Sequence, residues 1–377
     1  MRGHARDDDT ETDADAVAQL LDLARDIFGT PVAALTRRTV TTPHHVEQTS
    51  SALDPHSTVR LLAGTDLGAA ALTVDVVRPD GVADGRLVGV GETPHRPRLD
   101  SRQQEALHVV AALVAGVLHH RDRRRSERDD RLASLDALVA GTGRTTVVQP
   151  IVDLRSGRVV GAEALSRFAS ATGVARRPEQ VFSDARSSGI GVRLEQAAIA
   201  SALRMLPALP AGAYLSVNAS AEALLDDRTH ELLLSAVPDR LVVEVTEHDP
   251  VADYAALTDA TARLRGHGVR VAVDDAGAGF ASLQHVLHLT PDIVKMDIAF
   301  VRGIDADPAR RAVARALVGF ASELGSTMVA EGVERRDELA VLTDLGVDCG
   351  QGYLLGRPTP DPRWGAGPDD TTAILLR

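Results

Sequence analysis

The chain carries one lysine beside 40 arginines. That lysine, Lys295, lies in the apolar, strand-like run Pro291-Asp292-Ile293-Val294-Lys295-Met296-Asp297. A compact ammonium and a planar guanidinium are not interchangeable at a tight site, so a lysine kept in an arginine-dominated composition points to chemistry more than to a snorkelling surface residue. Carboxylates recur at the ends of other apolar runs: Glu163 in Gly161-Ala162-Glu163-Ala164-Leu165, Glu244 in Leu241-Val242-Val243-Glu244, Asp274 and Asp275 after Val271-Ala272-Val273, and Glu331 after Met328-Val329-Ala330. Asn218 and Gln351 continue the series. If these converge, the carboxylates cannot all stay ionised in a partly desolvated pocket, and divalent cations would remove the conflict. Oxygen donors without His or Cys select Mg²⁺ or Mn²⁺, and this many suffice for two ions sharing a bridging carboxylate, the arrangement suited to in-line phosphodiester hydrolysis. Read singly, each residue has a plainer explanation: a surface glutamate, an Asp-Asp turn, Asn218 as a helix N-cap. Seven strand ends bearing such groups in series are not explained by capping.

The elements that must position them alternate. Strand-like runs at Val147–Val152, Val159–Ala164, Ala213–Val217, Leu241–Val245, Val269–Val273, Ile293–Met296, Met328–Ala330 and near Cys349–Leu354 are separated by helical segments such as Leu194–Met205 and Arg310–Leu324. Eight strands joined by helices over roughly 215 residues is what a (β/α)8 TIM-like barrel requires. The rival, a doubly wound open sheet, would carry a Gly-rich phosphate loop after its first strand, and none is present. Residues 1–14 read as a disordered acidic tail. Residues 15–120 read as a smaller α+β domain: a helical face through Val17, Leu20, Leu21, Ala24, Ile27 and Phe28, short strands around Pro31–Leu35, Val59–Ala63, Ala69–Val77 and Gly85–Val90, and a helix opened by the capping box at Ser101. Residues 121–142, with mixed charges and then Leu132, Leu135 and Leu138, predict a solvated linker helix of coiled-coil type in a homodimer. The barrel domain is expected over 143–361 and a tail over 362–377. His44-His45 read as loop residues and His119-His120 as helix-end residues.

A net charge of −12 and a pI near 5.5 argue against binding DNA or RNA polymers or a membrane surface. The lone cysteine, Cys349, excludes an internal disulfide and a thiolate metal site, suits a reducing compartment and reads as a small buried residue. Met1–Asp15 has no apolar core, and the longest apolar stretch, Ala106–Leu118, is too short to span a bilayer. The expectation is a cytoplasmic protein.

The runs Gln149-Pro150-Ile151-Val152-Asp153-Leu154, Glu163-Ala164-Leu165-Ser166-Arg167, Val217-Asn218-Ala219-Ser220, Glu244-Val245-Thr246-Glu247, Asp274-Asp275, Lys295-Met296-Asp297, Ala330-Glu331-Gly332-Val333-Glu334 and Gln351-Gly352-Tyr353-Leu354 together resemble the EAL domain of cyclic di-GMP phosphodiesterases, over about 145–360. The first domain resembles a GAF sensory domain through Arg60-Leu61-Leu62-Ala63-Gly64 and its 85–118 ending. The EAL resemblance implies cyclic di-GMP as substrate, linear pGpG as product, and two Mg²⁺ or Mn²⁺ ions. It implies that Glu163, Asn218, Glu244 and Asp274 hold one ion, and that Asp274, Asp275 and Glu331 hold the other. By the same resemblance Lys295 contacts the nucleophilic water and Glu331 is a candidate general base, with Glu163 also in the catalytic set. Arg167 meets a substrate phosphate, alongside Gln149, Asp297 and Gln351 in substrate contact, and Glu247 anchors the loop after Asp275. That loop departs from the family's Phe-Gly-Thr-Gly-Tyr-Ser-Ser, reading Ala276-Gly277-Ala278-Gly279-Phe280-Ala281-Ser282. No Gly-Gly-Asp-Glu-Phe cyclase signature occurs. The GAF-like domain would receive an unidentified small-molecule or protein signal. Two rival readings are a receptor that binds cyclic di-GMP without cleaving it, which would be expected to lose metal ligands that are all present here, and a barrel hydrolase for another phosphodiester.

Overall fold

Backbone pairing in the computed structural model, which describes residues 32–39, 42–49, 71–77, 83–90, 101–245, 251, 253–277, 280–362 and 364, forms two separate sheets. The chain divides into Met1–Arg131 and Leu132–Arg377. In the first unit β1 (Val32–Thr39), β2 (Thr42–Thr49), β3 (Ala71–Val77) and β4 (Ala83–Val90) make an antiparallel sheet in the order β2-β1-β4-β3. The expected acidic tail, the helix from Val17 to Phe28 and the strand Val59–Ala63 lie outside the described residues, as do 365–377. His44 and His45 belong to β2, not to a loop; its register against β1 shifts twice, which fits the weak alternation of the segment Thr-Pro-His-His-Val-Glu-Gln-Thr.

The helix opened at Ser101 does not stop before the expected linker. It runs unbroken as α1, Ser101–Val139, so His119 and His120 lie in its interior and not at an end. Nothing between Val117 and Leu135 is Gly or Pro, and the Arg and Glu that replace apolar residues there are good helix formers, tied in one place by the i,i+4 pair Arg123–Glu127 at 3.2 Å. Left-handed Gly141 and Gly143 (φ 100° and 75°) end it. Leu135 and Leu138 are buried against Phe168, Val181, Ala185 and Leu194 of their own chain, so these two face the second unit's core and not a partner helix.

That second unit is a closed barrel. Its chain order is β5 (Arg144–Asp153), β6 (Val159–Ala169), a short β7 (Ala175–Arg176), α2 (Pro178–Ser187), α3 (Gly191–Leu203), β8 (Tyr214–Ala219), α4 (Ala221–Leu224), α5 (Asp227–Leu234), β9 (Leu241–Val245), α6 (Tyr254–Arg265), β10 (Arg270–Ala276), α7 (Phe280–Leu289), β11 (Ile293–Met296), α8 (Ile298–Val301), α9 (Pro308–Leu324), β12 (Thr327–Ala330), α10 (Arg336–Asp344) and β13 (Cys349–Gly350). Strand order runs β5-β13-β12-β11-β10-β9-β8-β6, and β5 pairs back onto β6 to close the ring. The regular (β/α)8 expectation needs one correction: β5 is antiparallel to both its neighbours. Parallel strands need a crossover of a dozen or more residues, and only 154–158 separate β5 from β6. Asp153 folds that turn by accepting from Ser156 N and Oγ, each at 2.6 Å.

Strand alternation now sorts the residues. Ile151, Tyr214, Val242, Ala272, Ile293, Val329 and Cys349 form a buried apolar floor inside the ring. The residues between them, including Leu215, Val243, Val271, Val294 and Met328, join Ile199, Leu257, Val286 and Leu342 in the larger core under the helices. On β6 the floor position is Gly161, where a methyl would overlap the ring of Tyr214, itself stacked under the Arg270 guanidinium at 4.4 Å. Gly161→Ala is therefore expected to destabilise the unit by about 1–3 kcal/mol through overpacking. Urea unfolding, with the midpoint lowered at unchanged slope, checks it.

Candidate active site

Two residues above each floor position, on the same inward face, stands a polar group. Gly161 is followed by Glu163, Tyr214 by Ser216, Val242 by Glu244, Ala272 by Asp274, Ile293 by Lys295, Val329 by Glu331 and Cys349 by Gln351. On antiparallel β5 the offset reverses, placing Gln149 before Ile151 and opposite Glu163. Asn218 stands two residues beyond Ser216 on β8. The strand period of two thus gathers nearly all the sequence candidates into one layer.

Lys295 is its centre, 1% exposed, with Nζ 2.5 Å from Glu331, 2.8 Å from Glu244, 3.1 Å from Asp274 and 3.4 Å from Glu163. Neighbours fix the carboxylates in turn. Ser216 Oγ donates to Glu244 at 2.6 Å, while Asn218 Nδ2 and Gln351 Nε2 donate to the two oxygens of Glu163 at 3.1 and 2.7 Å. Gln351 also donates to Gln149, whose own amide donates to Gly356 O. Asn218 is not a helix cap: Ser220 caps α4, and buried Glu195 accepts from Ser220 N and Oγ at 2.7 and 3.0 Å. Asp275 takes a left-handed backbone, φ 52°, which Asp tolerates better than most residues; its N–H donates to Asp274 Oδ1. Asp297 caps α8 and shares a hydrogen bond with Asp275. Oxygens of Asp274, Asp275 and Glu331 lie within 4.8 Å of one another.

The carboxylate layer opens onto a cavity of about 300 Å³ lined by Arg167, Glu179, Phe182, Asn218, Asp274 and Asp275. Arg167 is exposed on its wall. Gln149, Gln351 and Asp297 do not line it; their side chains are turned to Glu163, Gly356 and Asp275. Glu247, Ala278 and Gly279 lie outside the described residues. Ser216, Glu195 and Glu338 escaped the sequence reading. Ser216 alone left a signal, standing two residues before Asn218 in an alternating strand.

Residues 133–358 match the EAL domain family. The chain belongs to it. A cyclic di-GMP phosphodiesterase of Pseudomonas aeruginosa is 29% identical over 288 residues, covering 73% of this chain and 45% of the relative. A probable cyclic di-GMP phosphodiesterase of Escherichia coli, PdeG, is 30% identical over 220 residues, 56% of this chain and 43% of its own length. The chain thus spans less than half of either relative. Among solved structures, the MucR phosphodiesterase in complex with cyclic di-GMP is 30% identical with TM-score 0.55, covering 61% of this chain and 98% of that one. An EAL domain protein of Listeria monocytogenes is 27% identical with TM-score 0.54, covering 60% and 92%.

The electrostatics of this EAL unit favour added positive charge. Burial, against the pull of Lys295, raises Glu244 to about 8. Burial, then Asp274 and Asp297, raises Asp275 to about 7. Burial and Asp274 lift Glu331 well above the usual carboxylate range. Burial works against the charge on Lys295, but Asp274, Glu163, Glu244 and Glu331 outweigh it and hold the proton on. One ammonium cannot neutralise five carboxylates. An all-oxygen donor set, three carboxylates within reach of one centre, and the buried Gln351 Oε1 with no hydrogen-bond partner all fit hard divalent ions and their hydration. Glu244 and Asp275 bind protons more tightly folded than unfolded, so their contribution to stability is complete below about pH 4 and is lost as pH rises through about 7 to 8. Melting in a chelator is therefore expected to fall between pH 5 and 8.5, and Mn²⁺ to suppress the fall; a flat chelated profile would contradict this.

Proposed function

We propose that this chain hydrolyses cyclic di-GMP to linear pGpG, as a cytoplasmic enzyme controlled by its N-terminal unit. The observation that carries the reading is the inward layer: four carboxylates around one buried lysine, with Asp275 and Asn218 beside them, open to a cavity with Arg167 on its wall. Glu163, Asn218, Glu244 and Asp274 would hold one Mg²⁺ or Mn²⁺, and Asp274, Asp275 and Glu331 the other. When bound, the ions supply an acidified water and neutralise charge on the phosphoryl oxygens.

The chain's own residues do the rest. Arg167 offers a forked pair of donors to a substrate phosphate. Lys295 holds the carboxylates in register and presents its ammonium to the attacking water. Glu331, raised by burial and beside Lys295, is placed to accept a proton. Gln149 and Gln351 fix Glu163, and Asp297 fixes Asp275, from behind. The antiparallel sheet of the first unit, followed by a helix that enters the barrel unit, supports a GAF-like sensor whose signal passes along α1. A homodimer belongs to the same proposal and is tested by sedimentation.

With Mg²⁺ or Mn²⁺, purified protein is expected to release pGpG from cyclic di-GMP, followed by chromatography. Glu163→Ala should abolish product, and Lys295→Met should lower kcat by roughly 100-fold or more, the scale of a lost proton-handling group at a reacting centre. Tight nucleotide binding with no pGpG from the parent would contradict the enzyme and leave a receptor.

A further inference from the structure

Glu338 lies outside the carboxylate layer, on the first turn of α10, yet it is only 2% exposed. A buried carboxylate needs donors, and this one has three. Its Oε1 accepts from Gly303 N at 2.9 Å, and its Oε2 accepts from Glu334 N at 3.1 Å and Arg335 N at 3.0 Å. The Arg335 bond is an ordinary helix-start contact. The Gly303 bond is not, because it reaches 35 residues back to the segment that follows α8.

The two loops so joined reach one oxygen cluster, one carrying a member of it and the other a residue hydrogen-bonded to a member. The segment after β12 holds Glu331; the segment after β11 holds Asp297, whose carboxyl is hydrogen-bonded to Asp275. They touch again at Gly332, a left-handed residue (φ 67°) where a methyl would overlap Ile298, and at Arg335, which pairs with Asp305 at 2.6 Å. The far side of the Glu331 loop is fixed to the segment after β13, with Val333 N donating to Gln351 O at 3.0 Å and Leu354 N to Val333 O at 3.1 Å. Of these ties, Glu338 is the one buried side chain that binds both loops at once.

We propose that Glu338 is a positioning residue for the divalent-ion site: by bridging Gly303 and the 334–335 amides it sets the spacing of Glu331 from Asp274 and Asp275. This rests on the metal-dependent reading above. Groups that hold metal ligands in place typically govern affinity or activity by 10–100-fold, although they never touch the ion. A purely structural Glu338 would change melting temperature alone.

The test uses the full chain and Mn²⁺ titration by calorimetry, with pGpG formation and melting temperature in parallel. Glu338→Ala is expected to weaken Mn²⁺ binding by about 10–100-fold and lower kcat with little change in KM for cyclic di-GMP. Glu338→Gln, which keeps one acceptor oxygen, should fall between it and the parent, and it carries the test if the alanine variant does not fold. Asp344→Ala removes an exposed acid from the far end of the same helix, away from the bridge, and should leave Mn²⁺ affinity unchanged. Parental Mn²⁺ affinity and kcat in folded Glu338→Gln and Glu338→Ala, with only the melting temperature lowered, would overturn the proposal. The parent separates the two failures: Mn²⁺ binding without pGpG sinks the proposed reaction and leaves the Glu338 comparison readable, whereas a parent that binds no Mn²⁺ sinks both.

Discussion

A protonated lysine sealed in the mouth of a barrel is the constraint on which the rest of this structure depends. Four carboxylates, three on strands and Glu331 just past the end of a fourth, lie within 3.4 Å of Lys295 Nζ. Removing the lysine from a buried charge set of this kind costs about 3–5 kcal/mol, because the carboxylates are left without a counter-charge. The ammonium therefore holds the layer together while leaving it short of positive charge. That imbalance is what suits the layer to divalent ions: a neutral arrangement would have no use for them, and a layer without the lysine would have little to gather it before they arrive.

The barrel supplies the geometry from one rule. Inward residues repeat every second position, so an apolar floor and a polar layer are stacked on the same strands. The reversed β5 obeys the rule backwards and still delivers Gln149 against Glu163. Gly161, two residues before Glu163 on the same face, yields its floor space to the ring of Tyr214. Outside the layer, buried Glu195 and Glu338 accept backbone N–H groups in the loops just beyond Asn218 and Glu331. The rigid parts of the site are thus strands, and the adjustable parts are loops pinned by carboxylates.

Much of this was legible in the sequence because carboxylates at the ends of β-rich runs stand out against an apolar background. Glu163, Asn218, Glu244, Asp274, Lys295, Glu331 and Gln351 were all visible that way, as was the barrel that brings them together. The reversed first strand was legible in principle, since 154–158 are too few for a crossover, but the strand–helix repeat on either side masks it. Glu195 and Glu338 left no signal, since a glutamate inside a helical run reads as a solvated face until its partners are known. The merging of two expected helices into α1 was hidden for a related reason. A shift from apolar to charged residues looks like a boundary, although Arg and Glu are good helix formers and carry the helix through it.

The central claim is that this layer is a divalent-ion site assembled around Lys295. Anomalous diffraction at the manganese edge from crystals of the full chain grown with Mn²⁺ tests it most directly. The account predicts anomalous peaks among Glu163, Asn218, Glu244 and Asp274 and among Asp274, Asp275 and Glu331, with Lys295 still beside them. Carboxylates that remain gathered on Lys295 with no manganese among them, at ion concentrations that support pGpG formation, would contradict it.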